Sequence, residues 1–278
     1  MTADDEPTLR VCPSCGAAER GKFCAACGEQ FLRSDDFDLR RFLLTHVVHE
    51  VFDLDGKLAR TLQVVFTQPG RLAADYVAGR RKPFVSPLRL YLIMFVIQAF
   101  LLAALAPHQL SLPERIRLVD PTGLLTRLMA ARTSVDWSNA ELRQQLNERS
   151  HWLGELATLL IFFGVAAIQA LVFIRLRRPY LHHLSLALSV SAFFLVALIL
   201  GDLVLVLFWR QHMAEMSYPM NQFLALTALP IYWCLAIRRF YGVKLPAALG
   251  AAALVTLGNW LVAGVFNFLL QALLIETA

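Results

Sequence analysis

Residues 69–106 read PGRLAADYVAGRRKPFVSPLRLYLIMFVIQAFLLAALA, and this stretch decides the fold. A basic cluster (Arg71, Arg80, Arg81, Lys82 and Arg89) runs into an apolar segment over 88–106. That segment meets the roughly 17–25 residues a helix needs to cross a bilayer. Before it the chain is mixed in charge, with 12 Lys/Arg and 12 Asp/Glu in residues 1–87; residues 153–278 hold only 7 and 4. The 278 residues are 57% hydrophobic and 17% charged, against about 25% charged in soluble domains. An ordinary soluble protein is excluded. The formal charge of +5 sits mainly beside apolar spans, where membrane lipids with anionic headgroups are the natural partner.

Five segments read as spans: 88–106, 154–174, 184–208, 217–237 and 247–271. Unpaired backbone groups are costly in lipid, so such runs must be helical. The expected class is therefore an all-α integral membrane protein with about five transmembrane helices over 88–278. Arg175, Arg177 and Arg178 fill the connection between the second and third spans, and Arg238, Arg239 and Lys244 that between the fourth and fifth. With these clusters and the one before the first span placed in the cytoplasm, the N-terminus lies inside and the C-terminus outside. The 107–152 connection becomes an extracytoplasmic loop, broken by Pro107, Pro113 and Pro121 before a short helix in ELRQQLNERS, 141–150. Pro219 fits the opening of the fourth span, and Pro230 should kink it.

Upstream, Cys12, Cys15, Cys24 and Cys27 form a C-x2-C-x8-C-x2-C pattern, with Gly16 and Gly28 closing each pair. No apolar signal segment opens the chain, which keeps these thiols in a reducing cytoplasm where close pairs bind metal. Two such turns can aim four thiolates at one tetrahedral ion, and zinc is the expected metal; iron is the other that such a set admits. Four thiolates leave no open coordination position, so the ion is structural. Residues 1–33 are read as this zinc ribbon with a flexible tail, and 34–87 as short cytoplasmic or interfacial amphipathic helices. Three helices are expected there, over SDDFDLRRFLLTHVVHEVFDLDG, KLARTLQVVFTQ and RLAADYVAGRR. They carry too little core to stand alone and should pack on the membrane helices.

Several polar residues are further candidates. His46, His49, Glu50 and Asp53 fall at i, i+3, i+4 and i+7 and share a helix face, although they lack the H-E-x-x-H order of a metalloprotease. Asp202 lies deep in the third span, where a carboxylate needs a partner or a proton. His183 stands at the cytoplasmic start of the same span. Cys234 is a lone thiol within the fourth.

Together these motifs resemble an uncharacterised bacterial membrane-protein family, domain of unknown function 3667. The residues that carry the likeness are CPSCG and GKFCAACGEQ, Leu54 to Leu62, the Gln68-Pro69-Gly70 turn, the Tyr76–Arg81 run and Ser86-Pro87. Later come Tyr180, His183-Leu184 and the run Ala236 to Gly242. The resemblance implies a bacterial inner-membrane protein and brings no reaction with it.

The favoured function is non-enzymatic, with the cytoplasmic zinc ribbon docking a protein partner or stabilising an assembly such as a homo-oligomer. Nucleic acid is disfavoured, because Arg20, Lys22 and Arg33 are offset by Glu19 and Glu29. A small-solute or ion transporter using Asp202 is the second reading. A membrane enzyme acting on a lipid-linked substrate, with the histidines and acids above, is the third; no residue is assigned as catalytic.

Overall fold

The computed structural model of the protein describes residues 10–19, 23–29, 31, 56–105, 140–209 and 213–276. The helix expected over 34–54 and the 107–139 part of the loop lie outside these residues. A two-strand antiparallel ladder comes first, β1 (Arg10–Val11) and β2 (Ala18–Glu19), with Arg10 opposite Glu19. Eight helices follow among the described residues: α1 (Lys57–Thr67), α2 (Arg71–Val77), α3 (Pro87–Leu105), α4 (Ala140–Val172), α5 (Tyr180–Trp209), α6 (Met213–Leu226), α7 (Ala228–Tyr241) and α8 (Leu245–Glu276).

The two short helices are amphipathic, and their apolar faces have a definite destination. Val65 of α1 and Leu72, Ala73 and Tyr76 of α2 belong to one core with Leu184, Leu186 and Leu188 of α5 and Trp233 and Ile237 of α7. The turn between α1 and α2 touches α7 directly. Gly70 has φ 77°, and a Cβ there would lie 2.6 Å from the Ala236 carbonyl oxygen. Only glycine meets both the left-handed backbone and the close approach. Hydrogen bonds seal the contact: the Tyr232 hydroxyl donates to the Val65 carbonyl at 2.8 Å, and Arg239 to the Pro69 carbonyl at 3.4 Å. Between α2 and α3, the Val85 amide donates to the buried Thr61 hydroxyl at 2.9 Å, so the chain is tied to α1 just before α3 begins.

Four helical stretches are apolar and long enough to cross a membrane: Pro87–Ala104, Tyr180–Trp209, Pro219–Tyr241 and Leu245–Val265. Their outward faces carry large apolar side chains, among them Phe100 at 75% exposure and Leu207 at 74%. The region of the second expected span is helical too, but its apolar part, Thr158–Val172, is shorter among the described residues. It belongs to a single helix of 33 residues that begins at Ala140. The separate short helix expected over 141–150 is thus corrected: no glycine or proline stands between Ala140 and Leu153 to end the helix.

The third span opens at Tyr180, directly after Pro179 and four residues before the expected 184, so His183 stands in the first turn of α5, at the start of the span as expected. Pro219 lies inside α6 and opens the apolar stretch Pro219–Tyr241. The fourth span does break, at Thr227 between α6 and α7. Pro230 accounts for the position, because its ring clashes with the carbonyl four residues earlier, at Leu226, where α6 ends. The Thr227 hydroxyl turns back onto the Phe223 carbonyl at 2.6 Å.

Small residues set the helix spacing. α4 and α8 cross where a Cβ on Gly258 would come within 2.8 Å of Ile168, and one on Gly164 within 3.0 Å of Val262. Such close backbone approach is how helices associate where lipid removes the hydrophobic drive. α5 lies between α3 and α4, and α7 packs on α8.

Candidate functional site

The four cysteines come together at one point. Each pair occupies the same kind of turn: the Gly16 amide donates to the Cys12 carbonyl at 2.9 Å, and the Gly28 amide to the Cys24 carbonyl at 2.7 Å. Gly16 and Gly28 have φ of 78° and 71°, the left-handed conformation that lets each turn close. The Cys12 amide then donates to Ala17 and the Cys24 amide to Glu29, both at 2.8 Å. Two equivalent turns face each other with Cys12 Sγ 3.6 Å from Cys27 Sγ, and Cys15 Sγ 3.5 Å from Cys24 Sγ. All four sulfurs lie within 4.8 Å of one another.

These separations far exceed a disulfide bond, about 2.05 Å. They approach the ~3.8 Å edge of a tetrahedron built on metal–sulfur bonds of about 2.3 Å. The donor set fits a metal ion chemically as well. Burial pushes the Cys12 thiol up, but the Cys15 and Ser14 amides and the neighbouring thiols outweigh it and bring it down to about 7. At Cys27 the Glu29 amide lowers the thiol, yet burial and the other three sulfurs prevail and push it up to about 12. One sulfur ionises at its neighbours' expense. A cation at the centre removes that conflict, because it stabilises every thiolate together.

Glu29 was not singled out in the sequence, and the structure gives it a central place. It is 3% exposed. Its Oε2 accepts hydrogen bonds from the Ser14 hydroxyl at 2.5 Å, the Arg81 amide at 3.2 Å and the Lys82 amide at 2.9 Å. The second cysteine turn is therefore seated on the connection that leads into α3, and Lys82 Nζ lies beside Gly28. No local pattern marks this carboxylate, since an acid after Cys-Gly is common on any polar turn.

The other candidates are dispersed. His46, His49, Glu50 and Asp53 lie outside the described residues. Asp202 of α5 is 2% exposed, and its Oδ2 accepts a hydrogen bond from Gln98 Nε2 of α3 at 3.0 Å. Gln98 Oε1 is buried without a partner. His183 is equally buried, and its Nδ1 lies 2.6 Å from the Tyr241 hydroxyl. That hydroxyl donates to Gln169 Oε1 at 3.4 Å, linking α5, α7 and α4. Phe173 stacks on Tyr241 with ring centroids 3.8 Å apart, and the Arg178 guanidinium lies 5.2 Å from the Tyr241 ring centroid. His183 is thus built into helix packing, with aromatic and amide partners. Gln169 is one of the intramembrane amides expected to face the bundle interior, and it is buried; Tyr241 was missed because partners on separate helices share no spacing in the sequence. Cys234 is buried in α7, away from the sulfur cluster.

The family model described as "Protein of unknown function (DUF3667)" matches residues 55–99. The match spans α1, α2, the connection that receives Glu29, and most of α3. The resemblance read from the sequence is borne out over these residues. No curated protein and no solved structure matches the chain.

Proposed function

We propose that this chain is an integral protein of a bacterial inner membrane whose Cys12, Cys15, Cys24 and Cys27 hold a structural zinc ion. The ribbon so formed clasps the cytoplasmic face of the helical unit and presents a docking platform for a cytoplasmic protein or a further subunit. One observation carries this reading: the Glu29 carboxylate joins the metal-binding turn to the Arg81 and Lys82 amides at the head of α3. Zinc is favoured over iron because four cytoplasmic thiolates in closed tetrahedral array need no redox chemistry to be useful. When bound, the ion supplies folding free energy and leaves no open position for a substrate.

Five spans support this topology if α4 is included. Its apolar part runs along α8 at Gly164 and Gly258 and packs on α5, both of them long apolar helices. The odd number places the N-terminus inside with the basic connections and the C-terminus outside.

The test is affinity capture of the solubilised protein beside Cys12→Ser/Cys15→Ser and Glu29→Ala, with zinc measured on all three. A partner recovered with the wild type, lost with the cysteine variant and weakened with Glu29→Ala supports docking through a seated ribbon. Equal recovery by all three forms sinks it. The Asp202–Gln98 pair favours a second reading, passage of an ion or small solute along α3 and α5. Flux in proteoliposomes that survives Asp202→Asn undiminished removes that one.

A further inference from the structure

The charges at the head of α3 are unequally matched. Arg71 and Arg80 both bind Asp75: Arg71 Nε lies 3.2 Å from Oδ2, and Arg80 Nε 3.0 Å from Oδ1. The Glu29 carboxylate is occupied by backbone amides and Ser14. Neither acid is bonded to the guanidinium of Arg89 or of Arg81. Nε and Nη2 of Arg89 are buried with no hydrogen-bond partner, and so is Nε of Arg81, whose guanidinium lies 4.3 Å from the Tyr76 ring centroid.

A guanidinium does not shed its proton, so burying its N–H groups without an acceptor is costly. Among the described residues no acceptor meets these groups, and the place of Arg89 in the fold suits one supplied from outside the chain. Arg89 is the third residue of α3, flanked by buried Leu88, Leu90 and Tyr91, with its amide facing the Ser86 hydroxyl at 3.4 Å. An arginine at the start of an apolar helix stands where hydrocarbon gives way to headgroups. Its planar fork suits two oxygens of one phosphate.

We propose that the head of α3 is a phosphate-binding site, with Arg89 as its ligand, and that it takes the headgroup phosphate of an anionic phospholipid. This rests on α3 being a membrane span and needs neither the metal nor the docking of a partner.

Native mass spectrometry of the full chain in mild detergent tests it, with phosphatidylglycerol and phosphatidylcholine offered in equal amounts. The wild type should retain phosphatidylglycerol preferentially. Arg89→Gln should weaken that retention about tenfold, and Arg89→Lys, which keeps charge and loses the fork, by a smaller factor. Millimolar inorganic phosphate that strips the lipid keeps the phosphate site and moves its source to solution. Equal retention of both lipids by the wild type, or unchanged retention by Arg89→Gln, overturns the proposal. Should Arg89→Gln fail to give monodisperse protein, Arg89→Lys and the wild-type lipid preference decide. Recovery of the wild type in the soluble fraction without detergent breaks the span reading itself and is read separately.

Discussion

The sulfur-bearing ribbon and the helical unit are held together by opposite means. In the ribbon the buried cluster consists of Cys12, Cys24 and Phe31, with a two-residue strand pair beside it. In the helical unit the buried cluster runs from Val65 of α1 to Val255 of α8 and contains Tyr91, Phe162, Trp233 and Phe240. One part has four clustered sulfurs in place of a core, and the other has a core that takes in even its amphipathic flanks. The difference teaches that the two can fail separately, and that the few groups joining them decide whether one responds to the other.

The strongest test of this contrast is to remove the ligands. Cys12→Ser/Cys15→Ser should take metal content from about one ion per chain to near zero and open the ribbon to protease, because bound metal supplies most of the folding free energy of so small a module. Circular dichroism should show the helices retained. Acid should act in the same direction as the substitution, since protons compete for the thiolates. Metal retained by the double variant would abolish the contrast.

Next in size is Gly70→Ala, which strikes the helical unit instead. The added Cβ meets the Ala236 backbone and the φ of 77° is strained for alanine. The expected loss is about 2–4 kcal/mol in thermal unfolding, with metal content unchanged. Glu29→Ala addresses the join itself. Removing the carboxylate should cost about 2 kcal/mol locally, from lost charge-assisted hydrogen bonds. Hydrogen exchange at the Arg81 and Lys82 amides should rise, while both parts stay folded. Asp202→Asn should have the smallest effect on folding, below about 1 kcal/mol, because an amide can still bond Gln98 and intramembrane hydrogen bonds contribute little. A collapse of the helices in that variant would show that the carboxylate holds α3 to α5.

The sequence made the long helices legible because lipid imposes length and composition on every span, and the sulfur site legible because two Cys-x2-Cys turns have few other uses. The starts of Lys57–Thr67 and Arg71–Val77 followed from Gly56 and the Pro69-Gly70 turn, whereas the second of them, expected to run to Arg81, ends at Val77, ahead of Gly79 with its φ of 86°. Partners brought together from separate elements were not legible. Glu29 on Arg81, His183 on Tyr241 and Gln98 on Asp202 join residues 52, 58 and 104 apart in the chain, and no periodicity spans such intervals. The continuity of α4 was missed for a different reason. Polar 141–150 and the apolar stretch expected over 154–174 look like separate elements when read by composition, although no proline stands between them and the helix runs on through Gly154.

That continuity has a mechanical consequence. A helix of 33 residues is about 50 Å long, some 20 Å more than the hydrocarbon layer is thick. Its apolar part packs against α5 and α8, and the polar part runs on from it in the same unbroken helix. A helix with no break along it should pass a displacement of that polar end on to the Gly164–Gly258 crossing.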